Sequence, residues 1–417
     1  MTVAMTPTAS RLAPEQFLER FGRYFNRGRI DAIANLGFLF VEGRAEGVYF
    51  EDSQGRRFLD MWCMGGTFNL GHRNPAVVQA AQAGLAEEDF GSLFFFSEAK
   101  GLLAEKLAQC TPGRLETTHP VVTGGEAIDL AVKLARGSTR RTAILHADQA
   151  YHGCTGFALS MMARGEMRDF AEPLIPDFHE IRYGDAGDLA AKISDRTAAV
   201  VLEAVRTDAD MAVPPPQYFA EVRRLCDATG AKLIIDEVVC GMGRLGTLWG
   251  CQYWDVEPDM LVTGKGFSGG VFPMSAVVTR PECLDFFAES PYRTISSYAW
   301  SNVGARVTRA ALEETERLLP RLAALGDGIE ADLRTLQARY RGALRGVRRA
   351  GMMFALDFAD AATGMAFLGL MFSLGVLVVA SSQRLEIVKI YPPLILEKEH
   401  VAEFTEKMET ALKSLGS

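Results

Sequence analysis

One lysine of this 417-residue chain stands where its side chain is expected to lose contact with water. Lys265 follows the run Met-Leu-Val-Thr at positions 260–263 and has a glycine on each side. The run predicts a buried strand, which places Lys265 at the end of that strand. Burial lowers the pKa of an amine, and the uncharged amine is the form that makes imines with carbonyl compounds. Taken alone, however, Lys265 is better explained as an exposed loop lysine.

Two carboxylates end a second predicted strand. Positions 232–238 read Lys-Leu-Ile-Ile-Asp-Glu-Val, so Asp236 and Glu237 come at the carboxyl end of a buried strand. Ligands of α/β proteins bind at this edge of the sheet. We therefore expect a carboxylate from this strand to lie opposite Lys265.

A pair of glycines supplies a third part of the same site. Gly124 and Gly125 follow a short predicted strand and open the helix predicted over 127–136. The free N–H groups at a helix N-terminus bind phosphate. A phosphate cradle, a carboxylate that keeps a pyridine nitrogen protonated and an imine-forming lysine are the needs of pyridoxal 5′-phosphate (PLP). The residues together predict a PLP site.

Two other motifs match their fingerprints only in part. Residues 241–246 fit GxGxxG, but a dinucleotide site also needs a helix that opens at the last glycine, and residues 247–250 show no helical run. Residues 266–270 fit the GxSxG nucleophile elbow, which needs a helix after Ser268. The apolar residues 271–278 predict a strand there instead. Neither a nicotinamide enzyme nor a serine hydrolase is predicted.

The elements that must position these residues alternate along the chain. From about residue 75 to 280, apolar strands such as 142–146 and 198–203 alternate with amphipathic helices such as 127–136 and 217–229. This pattern is typical of an α/β fold whose mostly parallel sheet is covered by helices on both faces.

The two ends of the chain have a different pattern. Alternating apolar residues around the turn at 52–55 predict an N-terminal β-hairpin. After Asn302 a long helix, a strand over 352–358 and a helical tail from Glu397 predict a second, smaller α+β domain. We predict three segments: 1–60 joins the small domain, 61–300 is the large PLP-binding domain, and 301–417 is the C-terminal small domain.

Composition and charge argue against several classes of protein. The chain has 44 basic and 52 acidic residues, a net charge of −8, and this balance argues against nucleic acid as a partner. Its 7 cysteines form neither a disulfide framework nor a CxxC metal pattern, so we expect reduced thiols in the cytoplasm and no metal site. The uncharged run 361–383 is long enough to span a bilayer, but glycines and serines interrupt it. A buried helix followed by a buried strand is predicted there, without membrane contact.

Six short motifs occur in a familiar order and spacing. They are residues 47–60, Asn-Leu-Gly-His-Arg-Asn-Pro at 69–75, Thr-Gly-Gly-Glu-Ala at 123–127, Tyr-His-Gly at 151–153, Asp-Glu-Val at 236–238 and Thr-Gly-Lys-Gly at 263–266. Through them the chain resembles the class III aminotransferases, of the ornithine and ω-amino-acid type, over nearly its whole length. The resemblance implies PLP fold type I, with a large domain and a smaller α+β domain built from both chain ends. It also implies a homodimer with active sites at the subunit interface.

The resemblance implies roles for the residues around the cofactor ring. Lys265 is similar to the lysine that forms the Schiff base with PLP, and Asp236 to the partner of the pyridine nitrogen. Val238 is expected to pack on one face of the ring and Tyr151 on the other.

Further residues are assigned to the phosphate and to the substrate side by the same resemblance. Gly124 and Gly125 are expected to hold the phosphate through backbone amides. Glu203 falls where the family has a glutamate near the cofactor that can gate the binding of a substrate carboxylate. Trp62 is predicted to contact substrate.

One departure from the family lies before the predicted long helix. Many members have a threonine, two glycines and an asparagine there, and the hydroxyl reaches the phosphate of the other subunit. Here residues 296–302 read Ser-Ser-Tyr-Ala-Trp-Ser-Asn. Ser297, Ser296 or Tyr298 can supply the hydroxyl, and we assign Ser297 to the cofactor.

A second departure concerns the substrate. Many members carry an arginine that clamps an α-carboxylate before a Pro-Pro pair, and here Lys389 stands in that place. Lysine cannot form the bidentate contact, so an acceptor without an α-carboxylate is expected, such as an oxo-sugar or an amine-derived aldehyde. With the acidic charge, this is similar to the branch that acts on aminoglycoside antibiotics. Two alternatives stay open: Lys389 holds the donor's carboxylate as a point charge, or it is a solvated residue at a strand end.

The sequence thus predicts a PLP-dependent aminotransferase. It is expected to move an amino group by a ping-pong route from an amino acid such as glutamate or glutamine to a carbonyl acceptor, with Lys265 shuttling the proton. A PLP-dependent epimerase or aminomutase would share the same motifs. A non-catalytic PLP-fold regulator is the other alternative, and the intact Lys265 and Asp236 argue against it.

Overall fold

A seven-stranded sheet carries the strands that the sequence analysis singled out. The computed structural model describes residues 13–35, 38–91, 95–288 and 290–416. Its strands are β1 (Glu42–Glu46), β2 (Tyr49–Asp52), β3 (Arg57–Asp60), β4 (Thr117–Val121), β5 (Ala143–Ala147), β6 (Phe178–Ile181), β7 (Thr197–Glu203), β8 (Lys232–Asp236), β9 (Met260–Thr263), β10 (Ser275–Thr279), β11 (Leu344–Ala350), β12 (Met353–Phe358), β13 (Val376–Leu377), β14 (Val379–Ala380) and β15 (Ile387–Ile390). The large sheet has the order β4-β10-β9-β8-β7-β5-β6, and only β10 runs antiparallel to its neighbours. The predicted, mostly parallel sheet is confirmed.

Helices pack against both faces of this sheet. The α-helices of the described residues span Pro14–Phe21, Arg27–Asn35, Cys63–Gly66, Pro75–Glu87, Glu98–Cys110, Gly124–Thr139, Gly156–Ser160, Glu166–Asp169, Ala186–Lys192, Tyr218–Thr229, Gly250–Tyr253, Asp285–Ala288, Asn302–Arg339, Ala361–Ser373 and Lys398–Ser414. Alternate residues of β8 enter two cores: Ile234 packs with the helix Gly124–Thr139, whereas Leu233 and Ile235 pack on the opposite face. Burial on both faces explains why these strands are apolar throughout.

Strands from both ends of the chain form a second sheet. Its order is β1-β2-β3-β13, in which Phe50 pairs with Phe58 across the predicted hairpin and Val376 pairs with Leu59 in parallel. A third sheet has the order β11-β12-β15-β14. The uncharged run 361–383 forms the predicted helix followed by short strands. Among the helices of the described residues, none is long and apolar enough to cross a membrane.

The two partial motifs do not form the sites that their fingerprints suggest. No helix opens at Gly246, and Ser268 lies in the 3₁₀ turn Lys265–Ser268 with its hydroxyl donated to the carbonyl of Phe272. The predicted strand over 271–278 is wrong in its first half, since β10 begins only at Ser275. The chain must reverse there to enter an antiparallel strand, and Gly269 and Gly270 have positive φ in the reversal.

Candidate active site

The candidate site forms where β7, β8 and β9 end. Glu203 is the last residue of β7 and pairs with Asp236, the last residue of β8, while Asp236 pairs with Val262 of β9. Residues paired in this way point to the same face of the sheet. Asp236 follows Ile234 by two positions, so that face is the one covered by the helix Gly124–Thr139.

Lys265 comes directly after β9 in an unusual backbone conformation. Its φ is +46°, in the left-handed region that residues other than glycine seldom adopt. Burial lowers the pKa of the Lys265 amine, although the negative charges of Asp236 and Glu203 oppose the shift. The side chain lines a cavity of about 290 Å³ together with Thr123 and Gly124. The predicted neighbourhood of lysine, carboxylate and glycine pair is therefore present.

Asp236 is held in place by a histidine and a backbone amide. Its Oδ2 lies 2.7 Å from Nδ1 of His152, and its Oδ1 accepts a hydrogen bond of 2.9 Å from the N–H of Val238. Burial alone would lower the pKa of His152, but the hydrogen bond and charge of Asp236 raise it overall. The sequence analysis gave His152 no role, although it stands inside the Tyr-His-Gly motif.

The glycine cradle is packed too tightly for other residues. A Cβ at Gly124 would lie 3.1 Å from Cγ2 of Val238, and one at Gly125 would lie 2.9 Å from Oγ1 of Thr155. Thr123 caps the helix by accepting a hydrogen bond of 3.3 Å from the N–H of Glu126. The 16-residue helix thus begins at the cavity with two residues that have no side chain.

Val238 lies beside this cradle. It is also close to the turn at Gly264, where an added Cβ would lie 3.6 Å from its Cγ2. Tyr151 is half-buried, with its hydroxyl 3.5 Å from the sulfur of Cys154. Burial, with a further effect of Cys154, raises the pKa of Tyr151 to about 12, so the phenol is neutral at ordinary pH. The ring-packing roles of both residues stay predictions.

Lys389 is buried rather than solvated. It is 7% exposed, and its Nζ donates to the carbonyls of Thr207 at 3.2 Å and Asp208 at 3.1 Å. The carboxylate of Asp208 lies 3.7 Å from the same nitrogen. Burial lowers the pKa of Lys389, and Asp208 opposes the shift. The interpretation as a solvated strand-end residue is wrong, because β15 carries this side chain into the interior.

The carboxylate next to Lys389 was missed by the sequence analysis. Glu203, the residue assigned to gating, accepts at its Oε2 a hydrogen bond of 3.3 Å from the N–H of Thr207 and another from the hydroxyl of the same residue. Asp208 contacts Lys389 instead, from the loop that follows β7. Which acid contacts Lys389 depends on the path of this loop.

The last two residues with predicted roles, Trp62 and Ser297, lie in different surroundings. Trp62 lies near the reactive amine: a Cβ at Gly65 would be 3.6 Å from Nζ of Lys265 and 4.0 Å from Nε1 of Trp62. Asp60 accepts the backbone N–H of Trp62 at 3.0 Å and fixes this turn. Ser297 is exposed in the segment before the helix Asn302–Arg339, and its contact with a phosphate of another subunit stays a prediction.

These residues fit PLP by their own geometry. The cavity joins a buried amine to a glycine cradle that leaves little room for a Cβ beside Val238 and Thr155. Asp236 points to the face of the sheet that the helix Gly124–Thr139 covers, and donors orient both of its carboxylate oxygens. Lys265 would bond to the cofactor, Asp236 would hold the proton of its ring nitrogen, and the amides of Gly124 and Gly125 would bind its phosphate.

Comparisons with known proteins agree with this geometry. The model of the class-III aminotransferase family matches residues 32–412. An uncharacterized aminotransferase of Archaeoglobus fulgidus is 36% identical over 405 residues, which cover 97% of this chain and 95% of that protein. Putrescine aminotransferase of Pectobacterium atrosepticum is 32% identical over 430 residues, covering 99% and 92%.

Solved structures show the same fold. Ornithine aminotransferase of Toxoplasma gondii has a TM-score of 0.89 at 22% identity, covering 97% of this chain and 96% of that one. An (S)-enantioselective ω-transaminase of Thermomicrobium roseum has a TM-score of 0.81 at 25% identity, covering 91% and 93%. PLP fold type I, predicted from the motifs, is thereby confirmed. By its sequence, its fold and the residues at its strand ends, the chain belongs to the class III aminotransferases, and its cofactor is PLP.

Proposed function

We propose that the enzyme moves an amino group by a ping-pong route from an amino acid, such as glutamate or glutamine, to a carbonyl acceptor without an α-carboxylate. An oxo-sugar of an aminoglycoside is an acceptor of this kind. The observation that carries the proposal is that the ammonium group of Lys389 already donates hydrogen bonds to acceptors within the protein.

The contacts of Lys389 leave little for a substrate carboxylate. An ammonium has three N–H donors, and the carbonyls of Thr207 and Asp208 with the Asp208 carboxylate are three acceptors within 3.7 Å. An arriving α-carboxylate must therefore displace Asp208. Lysine also lacks the planar fork that binds a carboxylate through two parallel hydrogen bonds. Both facts support an acceptor that needs no carboxylate clamp.

The chemistry of the transfer rests on two side chains. When bound, PLP withdraws electrons from the carbon that carries the amine. Lys265, whose pKa is lowered by burial, takes the proton from that carbon and returns it. Asp236, at the end of β8, would place its carboxylate at the ring nitrogen. His152 holds that carboxylate in position.

A diamine is a second candidate for the amino donor. One relative of this chain is named putrescine aminotransferase, and a diamine also has no carboxylate. The net charge of −8 suits cationic substrates.

A donor screen tests the proposal and separates it from an epimerase or aminomutase. Glutamate, glutamine, alanine and diamines are added singly to the PLP-loaded enzyme, and the visible absorbance of the cofactor is followed. A transaminase donor converts the cofactor to its amine form in the absence of any acceptor. An epimerase or aminomutase would leave the absorbance essentially unchanged with every donor and would contradict the proposal.

Substitutions of Lys389 test the role of that residue. Lys389→Arg should do little for a carboxylate-free acceptor but improve the use of 2-oxo acids, by about 1–3 kcal/mol at most for one charged contact. If Lys389 instead holds the donor's carboxylate, Lys389→Ala should raise the donor's KM and leave the acceptor half-reaction unchanged. Half-reaction kinetics of both variants distinguish the cases. Loss of the acceptor half-reaction in Lys389→Arg without any gain for 2-oxo acids would contradict our account.

A further inference from the structure

Two polar atoms next to Asp236 are buried without hydrogen-bond partners among the described residues. They are Nε2 of His152 and Oε1 of Glu203. The two residues are only 4% and 3% exposed. A buried polar atom without a partner destabilises the folded chain, so two such atoms beside a catalytic carboxylate require an explanation.

The two atoms belong to side chains on either side of Asp236. Glu203 pairs with Asp236 across the sheet and points to the same face. His152 contacts Asp236 from outside the sheet, with 2.7 Å between Nδ1 and Oδ2. Both side chains therefore border the carboxylate of Asp236, and their partnerless atoms lie too far apart for a direct hydrogen bond.

We propose that Glu203 is a neutral carboxylic acid in the working enzyme, and that the proton on its Oε1 is donated to Nε2 of His152 across one water molecule. His152 is then neutral and donates its Nδ1–H to Asp236. The three side chains together carry one negative charge, and it resides on Asp236. The inference rests on the role proposed for Asp236 and makes Glu203 a positioning residue that acts through His152.

The hydrogen bonds of Glu203 favour the acid over the carboxylate. Its Oε2 accepts both bonds from Thr207, while no donor from the part of the chain that the structure describes reaches Oε1. A buried carboxylate needs donors at both oxygens, whereas the O–H of an acid needs only an acceptor. Nε2 of His152 is an acceptor of the required kind once Nδ1 carries the ring proton.

A second buried glutamate in the same chain shows the opposite arrangement. Glu237 accepts a hydrogen bond from the N–H of Gly250 at Oε2, 2.7 Å, and another from the N–H of Cys251 at Oε1, 2.6 Å. Burial raises the pKa of both Glu203 and Glu237 to about 7. Burial therefore does not separate the two glutamates, but donors at both oxygens stabilise only the carboxylate of Glu237.

Other titratable groups around Glu203 act in both directions or are neutral. The negative charges of Asp236 and Asp208 favour the acid, whereas Lys265 and Lys389 favour the carboxylate when they are protonated. Burial raises the pKa of three neighbours well above its ordinary value, so they carry no charge: Tyr183, Cys240 and Tyr391. The hydrogen-bond partners of Oε1 then decide the protonation state.

The proton on Glu203 keeps the negative charge of Asp236 available for the ring nitrogen of the cofactor. If Glu203 were ionised, it would draw a second proton onto the imidazole, and a cationic His152 would compete with the ring nitrogen for the charge of Asp236. A neutral His152 orients Asp236 without neutralising it.

Infrared spectroscopy of the PLP-loaded enzyme at neutral pH tests the proposal directly. A buried carboxylic acid has a C=O stretching band that shifts to lower frequency in D₂O. We expect this band in the wild type, its loss in Glu203→Gln and its persistence in Glu237→Gln, the matched control. Absence of the band from the wild type, or its survival in Glu203→Gln, would overturn the proposal.

Cofactor affinity then separates positioning from plain packing. Gln retains an N–H donor for His152, and Met has a similar size but no donor. We expect the dissociation constant of PLP to be at least about tenfold higher in Glu203→Met than in Glu203→Gln, as for a lost buried hydrogen bond. Equal values in the two variants would contradict the role of the donated proton.

The two experiments also distinguish this inference from the proposed function. Circular dichroism of the apoenzyme checks that each variant folds. If Glu203→Met does not fold, the infrared result for the wild type and Glu203→Gln still decides the question. A failed donor screen would leave both readouts unaffected, because neither requires turnover.

Discussion

At the scale of single residues, burial rather than a partner sets the state of the reactive amine. Lys265 sits at the mouth of a cavity, with the carboxylates of Asp236 and Glu203 acting on it only through space. Its pKa is lowered from the ordinary value of 10.5, which raises the fraction of free amine available to accept a proton.

Lys265→Ala should therefore abolish transamination while the fold is retained. Loss of both the nucleophile and the general base predicts a fall in kcat of at least about 10³-fold. Steady-state kinetics measure the loss, and circular dichroism checks the fold. Lys192→Ala is the control, because this lysine lies on the surface and pairs with Asp188. Full activity of purified Lys265→Ala would refute the assignment of the lysine.

Asp236→Asn should lower activity by orders of magnitude although the cofactor still binds. A neutral amide cannot hold a proton on the ring nitrogen, and a lost charged hydrogen bond in a buried site is worth about 1.5–3 kcal/mol in binding. The measurements are kcat and the PLP dissociation constant. Asp259→Asn is the matched control, since Asp259 is a buried carboxylate that pairs with Arg223 before β9 begins. Near-normal kcat in Asp236→Asn would show that another group protonates the ring.

At the scale of elements, the helix Gly124–Thr139 and the ends of β8 and β9 form the site jointly. Val238 after β8 lies close to Gly124 at the start of the helix and to Gly264 after β9, since a Cβ added at either glycine would meet its side chain. Each element therefore limits how far the others can move. A substitution in one of these turns should therefore lower the affinity for the cofactor more than it lowers the stability of the fold.

Gly124→Ala is predicted to weaken PLP binding by about tenfold, which corresponds to ~1.4 kcal/mol. The added Cβ would lie 3.1 and 3.2 Å from the two Cγ atoms of Val238, so that side chain must shift by a few tenths of an ångström. Titration of the apoenzyme with PLP measures the change. Gly101→Ala is the control: a Cβ there meets nothing within 4 Å, and removal of a helical glycine should stabilise the chain by about 0.4–1 kcal/mol. Equal PLP affinity of the Gly124 variant and the wild type would count against the cradle.

At the scale of the whole molecule, several large apolar side chains remain exposed. Phe95 and Phe96 are 75% and 105% exposed, and Tyr298 is 69% exposed next to the ring of Phe90. Exposed apolar groups of this size mark interaction surfaces. Together with the exposed Ser297, they support the proposal of a homodimer whose subunits complete each other's site.

A dimer of this kind can be tested by mixing two inactive variants. Lys265→Ala lacks the amine, and Ser297→Trp should block the phosphate of the neighbouring subunit. A hybrid dimer holds one site free of both changes, so mixing after mild unfolding should restore about a quarter of wild-type activity if subunits pair at random. Light scattering should give twice the mass of one chain. A monomeric active enzyme, or no recovery on mixing, would contradict shared sites.

Much of the fold and the centre of the site could be predicted from the sequence. Strands β8 and β9 are short apolar runs with polar residues at their ends, and the carboxyl ends of parallel strands meet at one edge. Lys265, Asp236 and the glycine pair could be placed together because each signal is local and the sheet brings them to the same edge. The hairpin and the interrupted apolar run 361–383 were predicted for the same local reasons.

Only the tertiary structure decided which polar groups meet. His152 contacts Asp236 across 84 positions, and Lys389 meets Asp208 across 181. No periodicity in the sequence encodes such pairs, because they depend on the paths of the loops after β7 and before the helix Gly156–Ser160. The protonation state inferred for Glu203 is decided in the same way, since the donors that reach each oxygen are a property of the folded chain. The sequence by itself determined the type of chemistry, and the packing of loops against the sheet determined the charges with which it is performed.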